Sequence, residues 1–143
     1  MFCGTYHNSI DSKGRVIMPA KFREELGHDF VLTKGLDHCL FVFPASEWEI
    51  FRDKLKKVPL TSKDGRAFTR YFFASAVECE MDKQGRLTIP QVLRDHARID
   101  KELVTIGVDS RVEIWSRAEW EAYNNGPELD SESIAINMEG LGI

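Results

Sequence analysis

Short apolar runs, each bounded by turn-forming residues, make up the first part of the chain. The segment at 11–14 has turn chemistry, because an aspartate accepts hydrogen bonds from nearby backbone N–H groups and a glycine accepts positive φ. A strand is predicted on each side of this turn. Pro19 suits the first position of a helix, which residues 20–26 continue until Gly27 ends it. The pattern therefore predicts strand, turn, strand and short helix.

Two further apolar runs, residues 30–33 and 39–43, are rich in β-branched and aromatic residues and flank a polar segment that contains glycine. They predict a second hairpin. A closing helix should follow, because Ser46 and Glu49 have the spacing of a capping box and apolar residues recur at helical spacing from Trp48 onward.

The whole pattern occurs twice. Residues 11–19 align without a gap with residues 82–90, and both segments read Asp-x-x-Gly-Arg, three further residues and proline. Downstream, Arg23 aligns with Arg94, and a second capping box begins at Ser116. Two copies are too few for a stacked solenoid, which needs about three repeats, so the duplication predicts a pseudo-twofold domain.

We predict that a single domain covers residues 1–127. Its first repeat spans about 5–58, a linking helix about 62–77 and the second repeat about 78–125. An acidic tail over residues 128–143 should be flexible, since its apolar residues are interspersed with Ser, Asn and Gly, a composition that favours a strand or disorder over a helix.

Composition narrows the class of protein. The chain has 143 residues, of which 43% are hydrophobic, and this is enough to close a core. The sequence has neither an apolar run of membrane-spanning length nor the N-terminal pattern of a signal peptide, so we expect a cytoplasmic protein without a membrane partner. The three cysteines are widely spaced and predict neither a disulfide framework nor a metal site.

The charge is unevenly distributed. The net charge is −4, from 19 basic and 23 acidic residues, but residues 128–143 hold four acidic residues and no basic one. Residues 1–127 therefore carry 19 of each sign and are neutral. Within them the first half has the excess of positive charge, which makes it the half more suited to an anionic partner.

The arginine that follows each turn is a candidate for reading DNA. A two-stranded hairpin is narrow enough for the major groove, where an arginine makes bidentate hydrogen bonds to guanine. Arg15 and Arg86 occupy this position. Each such contact provides about 1–3 kcal/mol of discrimination between bases.

Other residues of the two turns are candidates for contacts with the DNA backbone. Lys13 and Lys83 can neutralise phosphates. The backbone N–H groups around Gly14 and Gly85 can approach DNA closely, because no Cβ intervenes.

A purely structural interpretation competes with this one. Asp11 could pair with Arg15 across its own turn, and Asp82 with Arg86, so that each pair fixes hairpin geometry without touching a ligand. Because a carboxylate is an unfavourable neighbour for phosphate, we predict that both aspartates structure the turns and do not contact DNA. The residues by themselves leave open whether the arginines do more.

The duplicated motif, together with the long helical spacer and the second Ser-x-x-Glu around a tryptophan, resembles the MraZ family, and each half resembles an AbrB/SpoVT swapped-hairpin element. The resemblance covers residues 1–127. It implies an α+β, β-rich fold in which two pseudo-twofold repeats form one small barrel with flanking helices. The family signature falls on both turns, at Asp11, Gly14, Arg15, Asp82, Gly85 and Arg86.

This resemblance also implies a function. It indicates a bacterial transcriptional regulator, a repressor associated with the nucleoid, that binds double-stranded DNA at direct repeats in the promoter of its own division and cell-wall gene cluster. It further implies a ring-shaped homo-oligomer. Linking several weak contacts in a ring raises avidity by about 10²–10⁴, which would offset the neutral charge of each subunit.

Two other classes of function compete with a DNA-binding regulator, namely an enzyme and a protein-interaction module. The four histidines occur without a nucleophile elbow, a phosphate loop or a His-Glu-x-x-His pair, so the sequence predicts no enzyme, no catalytic residue, no cofactor and no small-molecule substrate. A protein-interaction or antitoxin-like module that lacks specific DNA binding is the alternative. A shift of DNA with short direct repeats, but not of scrambled DNA, would separate the two.

Overall fold

The computed structural model describes residues 1–127 and 129–142 of the chain. The first repeat contains four strands and two helices, and a third helix links it to the second repeat. In chain order these elements are β1 (Phe2–Ser9), β2 (Arg15–Ile17), α1 (Ala20–Leu26), β3 (Asp29–Lys34), β4 (Leu40–Pro44), α2 (Ala45–Lys56) and the linking helix α3 (Lys63–Ser75). The predicted helix over residues 20–26 is confirmed, with Gly27 at φ 73° directly after it.

The second repeat follows the same order and then adds a short helical segment. Its elements are β5 (Val77–Glu80), β6 (Arg86–Thr88), α4 (Gln91–His96), β7 (Glu102–Asp109), β8 (Arg111–Ser116), α5 (Arg117–Asn125), α6 (Ser131–Asn137) and a 3₁₀ turn (Glu139–Leu141). The fold is α+β. Within the described residues, no helix is long and apolar enough to cross a membrane.

Six strands form one antiparallel sheet in the order β1-β7-β8-β4-β3-β5, and β2 pairs with β6 in a separate two-stranded ribbon. Counted inwards from the two edges of the sheet, corresponding strands of the two repeats occupy equivalent positions. These pairs are β1 and β5, β7 and β3, and β8 and β4. Its centre is the β4–β8 contact, where Phe41 lies opposite Glu113. The duplication in the sequence therefore becomes a pseudo-twofold arrangement of strands.

The repeats exchange their first strands. The strand β1 of the first repeat pairs with β7 of the second, and β5 of the second pairs with β3 of the first. The two strands around the 11–14 turn do not form the ladder of an ordinary hairpin, because their only described pairing is the isolated bridge between Ile10 and Val16. Each repeat thus places its first strand beside a strand of the other repeat, and the swapped-hairpin class that the resemblance implies stays a prediction.

The predicted small barrel is not confirmed. Among the described strands, the six-stranded order is open, with β1 at one end and β5 at the other. Apart from the bridge between Ile10 and Val16, the described residues of β2 and β6 pair only with each other. The inner side chains of this ribbon, Val16 and Leu87, are buried in a core cluster that also takes residues from α1 and α4.

A second core cluster, rich in aromatic residues, holds the linking helix α3 to the sheet. Phe72 is 1% exposed and packs against Phe41, Phe51 and the other aromatic residues of this cluster. Thr33 of β3 donates a hydrogen bond to the backbone carbonyl of Phe72 at 2.8 Å. The link between the repeats is therefore part of the packed core.

The two predicted capping boxes differ in outcome. Ser116 is the N-cap of α5, and its hydroxyl accepts a hydrogen bond from the backbone N–H of Glu119 at 3.3 Å. The prediction for Ser46 is wrong, since α2 already begins at Ala45 after Pro44 and has no side-chain cap. Pro44 brings a pre-set φ to this junction, and the helix begins at Ala45, two residues before the start at Glu47 that a Ser46 N-cap would give.

The tail also differs from the expectation of a strand or disorder, because α6 and the 3₁₀ turn are helical. Asp130 caps α6, as its carboxylate accepts hydrogen bonds from the backbone N–H of Glu132 and the hydroxyl of Ser133. An aspartate N-cap is a local signal for the start of a helix, and the prediction from the composition of the tail did not take it into account. The two ends of the predicted tail, residues 128 and 143, lie outside the described residues, and its flexibility stays a prediction.

Candidate nucleic-acid interface

The first turn is held together by Asp11. One carboxylate oxygen accepts hydrogen bonds from the backbone N–H groups of Lys13 at 2.9 Å and Arg15 at 2.8 Å. The other oxygen accepts from Nε of the Arg15 side chain at 2.7 Å. Gly14 completes the turn at φ 78°, where an L side chain is strained. Asp11 therefore accepts three hydrogen bonds from groups of its own turn, and its turn-structuring role stays a prediction.

The second turn repeats this arrangement almost atom for atom. Asp82 accepts from the backbone N–H groups of Gln84 and Arg86, each at 2.9 Å, and from Nε of Arg86 at 2.7 Å. Gly85 has φ 76°. Lys13 aligns with Gln84 rather than with Lys83, so the lysines of the two turns occupy different positions.

Each turn is also bonded to the other repeat. The backbone N–H of Met18 donates to the carbonyl of Gly85 at 3.0 Å, and that of Ile89 donates to the carbonyl of Gly14 at 2.8 Å. Met18 and Ile89 are fully buried. The two turns therefore lie at opposite ends of the β2–β6 ribbon and are fixed relative to each other.

Arginines from the short helices cover both glycines. The guanidinium of Arg94, on α4, lies 3.0 Å from the place where a Cβ on Gly14 would be, and the side chain of Arg23, on α1, lies still closer to the equivalent place at Gly85. These contacts cross between the repeats. In the sequence, the alignment of Arg23 with Arg94 is the signal of these two arginines, and it does not indicate the contacts that they make.

The ribbon has one buried and one outward face. Because side chains alternate along a strand and opposed residues share a face, Arg15, Ile17, Arg86 and Thr88 all lie on the face opposite to buried Val16 and Leu87. Arg15 lies opposite Thr88, and Ile17 lies opposite Arg86. The two predicted reading residues therefore share one surface, two residues apart along the ribbon, or about 7 Å.

Each arginine pairs with the aspartate of its own turn through one nitrogen of its side chain. Their side chains are 28% and 26% exposed, and each uses Nε for the pair with its own aspartate. Their terminal Nη atoms make no hydrogen bond within the described residues. Turn pairing thus leaves the two outer nitrogens of each guanidinium available to a ligand.

The same hydrogen bonds set the acidity of the aspartates. The backbone N–H of Arg15, and then its side chain and the N–H of Lys13, hold the pKa of Asp11 below its usual value of 3.8. The equivalent donors, led by the backbone N–H of Arg86, lower the pKa of Asp82. Both turns therefore depend on ionised carboxylates.

A pH-dependent stability follows. Since the pKa of each aspartate is depressed in the folded state, its contribution is complete above the unfolded value, near pH 4, and is lost as pH falls through the lower folded value. The double change Asp11→Asn and Asp82→Asn should lower Tm at pH 7, with a gap to wild type that closes towards pH 3. Thermal unfolding followed by circular dichroism between these pH values measures this gap.

Asp53→Asn serves as the control, because Asp53 is exposed and its described partner is the Lys56 side chain at 3.6 Å. This variant should unfold like wild type at every pH. A gap for the double variant that stays the same from pH 7 to pH 3 would contradict the role of the charged carboxylates.

One group of possible metal ligands lies away from the turns. Within the described residues, His28, Asp29 and Glu80 have their ligand atoms within 4.8 Å of one another, and all three are exposed. They meet because Asp29 lies opposite Glu80 in the β3–β5 pairing, a relation that the sequence did not indicate. Their described contacts are with each other.

Comparison with known families decides the identity. The family described as "MraZ protein, putative antitoxin-like" matches residues 1–71 and, a second time, residues 72–139. The chain belongs to the MraZ family. The boundary between the two MraZ matches falls inside the linking helix α3.

Similar proteins carry the name transcriptional regulator MraZ. The one from Thermoanaerobacter sp. (strain X514) is 59% identical, that from Caldanaerobacter subterraneus subsp. tengcongensis 58% and that from Clostridium tetani 57%. Each alignment covers 100% of both chains. The predicted MraZ resemblance is confirmed, and so is the prediction of a transcriptional regulator rather than an enzyme.

Proposed function

We propose that the chain binds double-stranded DNA sequence-specifically through the outward face of the β2–β6 ribbon. The observation that carries the proposal is the common face of Arg15 and Arg86, whose Nη atoms make no hydrogen bond within the described residues while Nε holds each turn. A major groove about 12 Å wide admits a two-stranded ribbon. On this proposal, each guanidinium donates two hydrogen bonds to a guanine edge.

Preorganisation supports this role for the arginines. A free arginine would lose side-chain freedom on binding, but here the pair with Asp11 or Asp82 already restricts it. Exposed Ile17 lies opposite Arg86 and two residues after Arg15 on the same face, and it suits an apolar contact with a thymine methyl group. The proposed reading surface is thus Arg15, Ile17 and Arg86.

Lys13 and Lys83 are exposed beside the turns, and we assign them to phosphate contacts. Gly14 and Gly85 are both buried beneath arginines of the other repeat, so these arginines must move aside for the backbone N–H groups of the glycines to approach DNA. The glycines are required in any case by their positive φ.

The family supports a proposal for the biological role. We propose that the chain acts in the cytoplasm, at the nucleoid, as a repressor of its own division and cell-wall gene cluster, and that a ring of subunits engages direct repeats in the promoter. The names of the relatives support regulation of transcription. Multivalency supports the ring, since a neutral domain with two arginines and two lysines at each reading surface would bind weakly by itself.

Fluorescence anisotropy of labelled DNA from the region upstream of the coding sequence tests this proposal. We expect binding that is tighter than to scrambled DNA of equal composition and that weakens steeply with salt, with a slope near −0.9 for each phosphate contact. Equal affinity for both fragments would overturn the assignment of sequence-specific binding.

A protein-interaction or antitoxin-like module remains the second candidate. The observation that favours it is the set of exposed apolar residues in the tail, Ile136, Met138 and Leu141. It would become the leading candidate if the chain showed no preference between the two DNA fragments.

A further inference from the structure

The last α-helix, α6, buries no side chain against the rest of the domain, unlike the helix in the corresponding position of the first repeat. In chain order α6 follows α5 as α3 follows α2, and α3 buries Phe72 in the core. By contrast, no side chain of α6 is buried. Ile134, Met138 and Leu141, spaced to share a helix face, are 38%, 44% and 67% exposed. We call this amphipathic segment, residues 130–141, the tail helix.

The tail helix carries only negative charge. Asp130 is used by its own cap, whereas Glu132 and Glu139 make no ion pair within the described residues. Its own domain gives it little cover, because Ile134 lines a shallow cavity with Tyr123 and Asp37 while the rest of its apolar face stays open. A partner surface should therefore be apolar with a basic rim.

Such a surface exists between the end of α2 and the start of α3. This basic groove has a volume of about 350 Å³. Its apolar lining residues include Leu55, Val58 and Leu60, and its three cationic lining residues are Lys56, Arg66 and Arg70. Leu60 lies in the connection between the two helices and is 82% exposed. The volume lies in the range of ordinary binding sites, about 300–1,000 Å³.

Two of the three cationic side chains at the rim of the groove form no ion pair within the described residues. Arg70 makes no ion pair within the described residues, and Arg66 donates to the carbonyl of Leu60 at 3.0 Å rather than to a carboxylate. Of these three cations, Lys56 alone forms an ion pair within the described residues, with Asp53 at 3.6 Å. An acidic, apolar helix is the occupant that complements this rim.

We propose that the tail helix of one copy of this chain docks in the basic groove of a second copy, with Glu132 and Glu139 beside Arg66 and Arg70. Within one chain the tail helix lies at a different cavity, because Ile134 lines a cavity with Tyr123 and Asp37 that shares no lining residue with the groove. Each copy offers one tail and one groove. Such a head-to-tail contact closes a ring when the rotation allows it, so the inference deepens the proposed function by naming the contact between subunits.

Disulfide trapping without DNA tests this contact directly. In a Cys3→Ser background, which removes the exposed native thiol, one preparation carries Leu60→Cys and the other Leu141→Cys. On mixing and mild oxidation, we expect a disulfide-linked heterodimer in at least severalfold excess over that from the pair Ile50→Cys and Leu141→Cys. Ile50, 49% exposed on α2 and outside the groove, is the matched control. Equal yields from both pairs would overturn the proposal.

Charge reversal gives an independent measurement that does not depend on thiol chemistry. Arg66→Glu with Arg70→Glu should raise the concentration needed for assembly about tenfold or more in light scattering. Glu132→Lys with Glu139→Lys should do the same, and combining the two sets should restore assembly. Lys63→Glu, on α3 but outside the groove, should assemble like wild type.

Assembly that is unchanged in the reversed variants, or is not restored by the combination, would refute the tail contact. Because both measurements are made without DNA, that outcome would leave the proposed reading surface untouched. Loss of DNA discrimination with trapping intact would instead refute the reading surface alone.

Discussion

Replacing both Arg15 and Arg86 with alanine is expected to weaken specific DNA binding roughly a hundredfold or more, while the chain stays folded. Each bidentate contact to a guanine is worth about 1–3 kcal/mol, and the two arginines lie on one face of the same ribbon. Multivalency should enlarge the loss, since every subunit of an oligomer loses the same contacts. Anisotropy with specific and scrambled DNA, alongside Tm, measures both binding and folding.

Two controls separate recognition from turn pairing. Arg117→Ala removes another arginine paired with a carboxylate four residues away, Glu121 at 3.0 Å, at a site remote from the ribbon, and should leave binding unchanged. Arg15→Lys with Arg86→Lys keeps the charge but loses the bidentate geometry, so discrimination should fall while non-specific binding persists. Wild-type binding by the double alanine variant would refute the reading surface, and loss of binding together with a large drop in Tm would favour a purely structural role.

Phe72→Ala is expected to have the largest effect on stability, a loss of about 3–5 kcal/mol. The Phe72 ring is 1% exposed and contacts aromatic rings from β4, α2 and its own helix, including Phe41 and Phe51. Its removal leaves a cavity in the cluster that holds the linking helix on the sheet. We expect Tm to fall by about 10 °C or more, measured by differential scanning calorimetry.

The neighbouring residue provides the control. Phe73 is 38% exposed and makes an edge contact with Trp48, so Phe73→Ala should cost about 1 kcal/mol. The two variants remove the same side chain from adjacent positions of α3. Similar losses in both would show that the linking helix is not anchored through the aromatic cluster.

The geometry of the turns could be predicted from the sequence because it is local. Asp11 bonds to backbone groups two and four residues further on, and Gly14 supplies the positive φ that closes the loop. Similar reasoning predicted α1 and the cap at Ser116. It failed at Ser46, where the proline before the helix competed with the serine as the start signal.

The surroundings of the turns could not be predicted in this way. Arg94 lies over Gly14, and the carbonyl of Gly14 accepts from the backbone of Ile89, although these partners are some eighty residues away along the chain. Aligning two repeats shows which residues are equivalent. It does not show whether a residue contacts its own repeat or the other one. For the same reason, the sequence did not bring His28, Asp29 and Glu80 together.

The sequence by itself determined that the chain is a duplicated module with two Asp-x-x-Gly-Arg turns, and it was sufficient to recognise the MraZ family. Only the tertiary structure decided that β2 pairs with β6 and that Arg15 and Arg86 share an outward face. The physical reason is that the geometry of a turn is set by hydrogen bonds within five residues. The backbone hydrogen bonds between two strands, in contrast, are the same for every pair of strands and do not select the partner. The partner of β2 is selected by burial of Val16 against the apolar side chains of the other repeat.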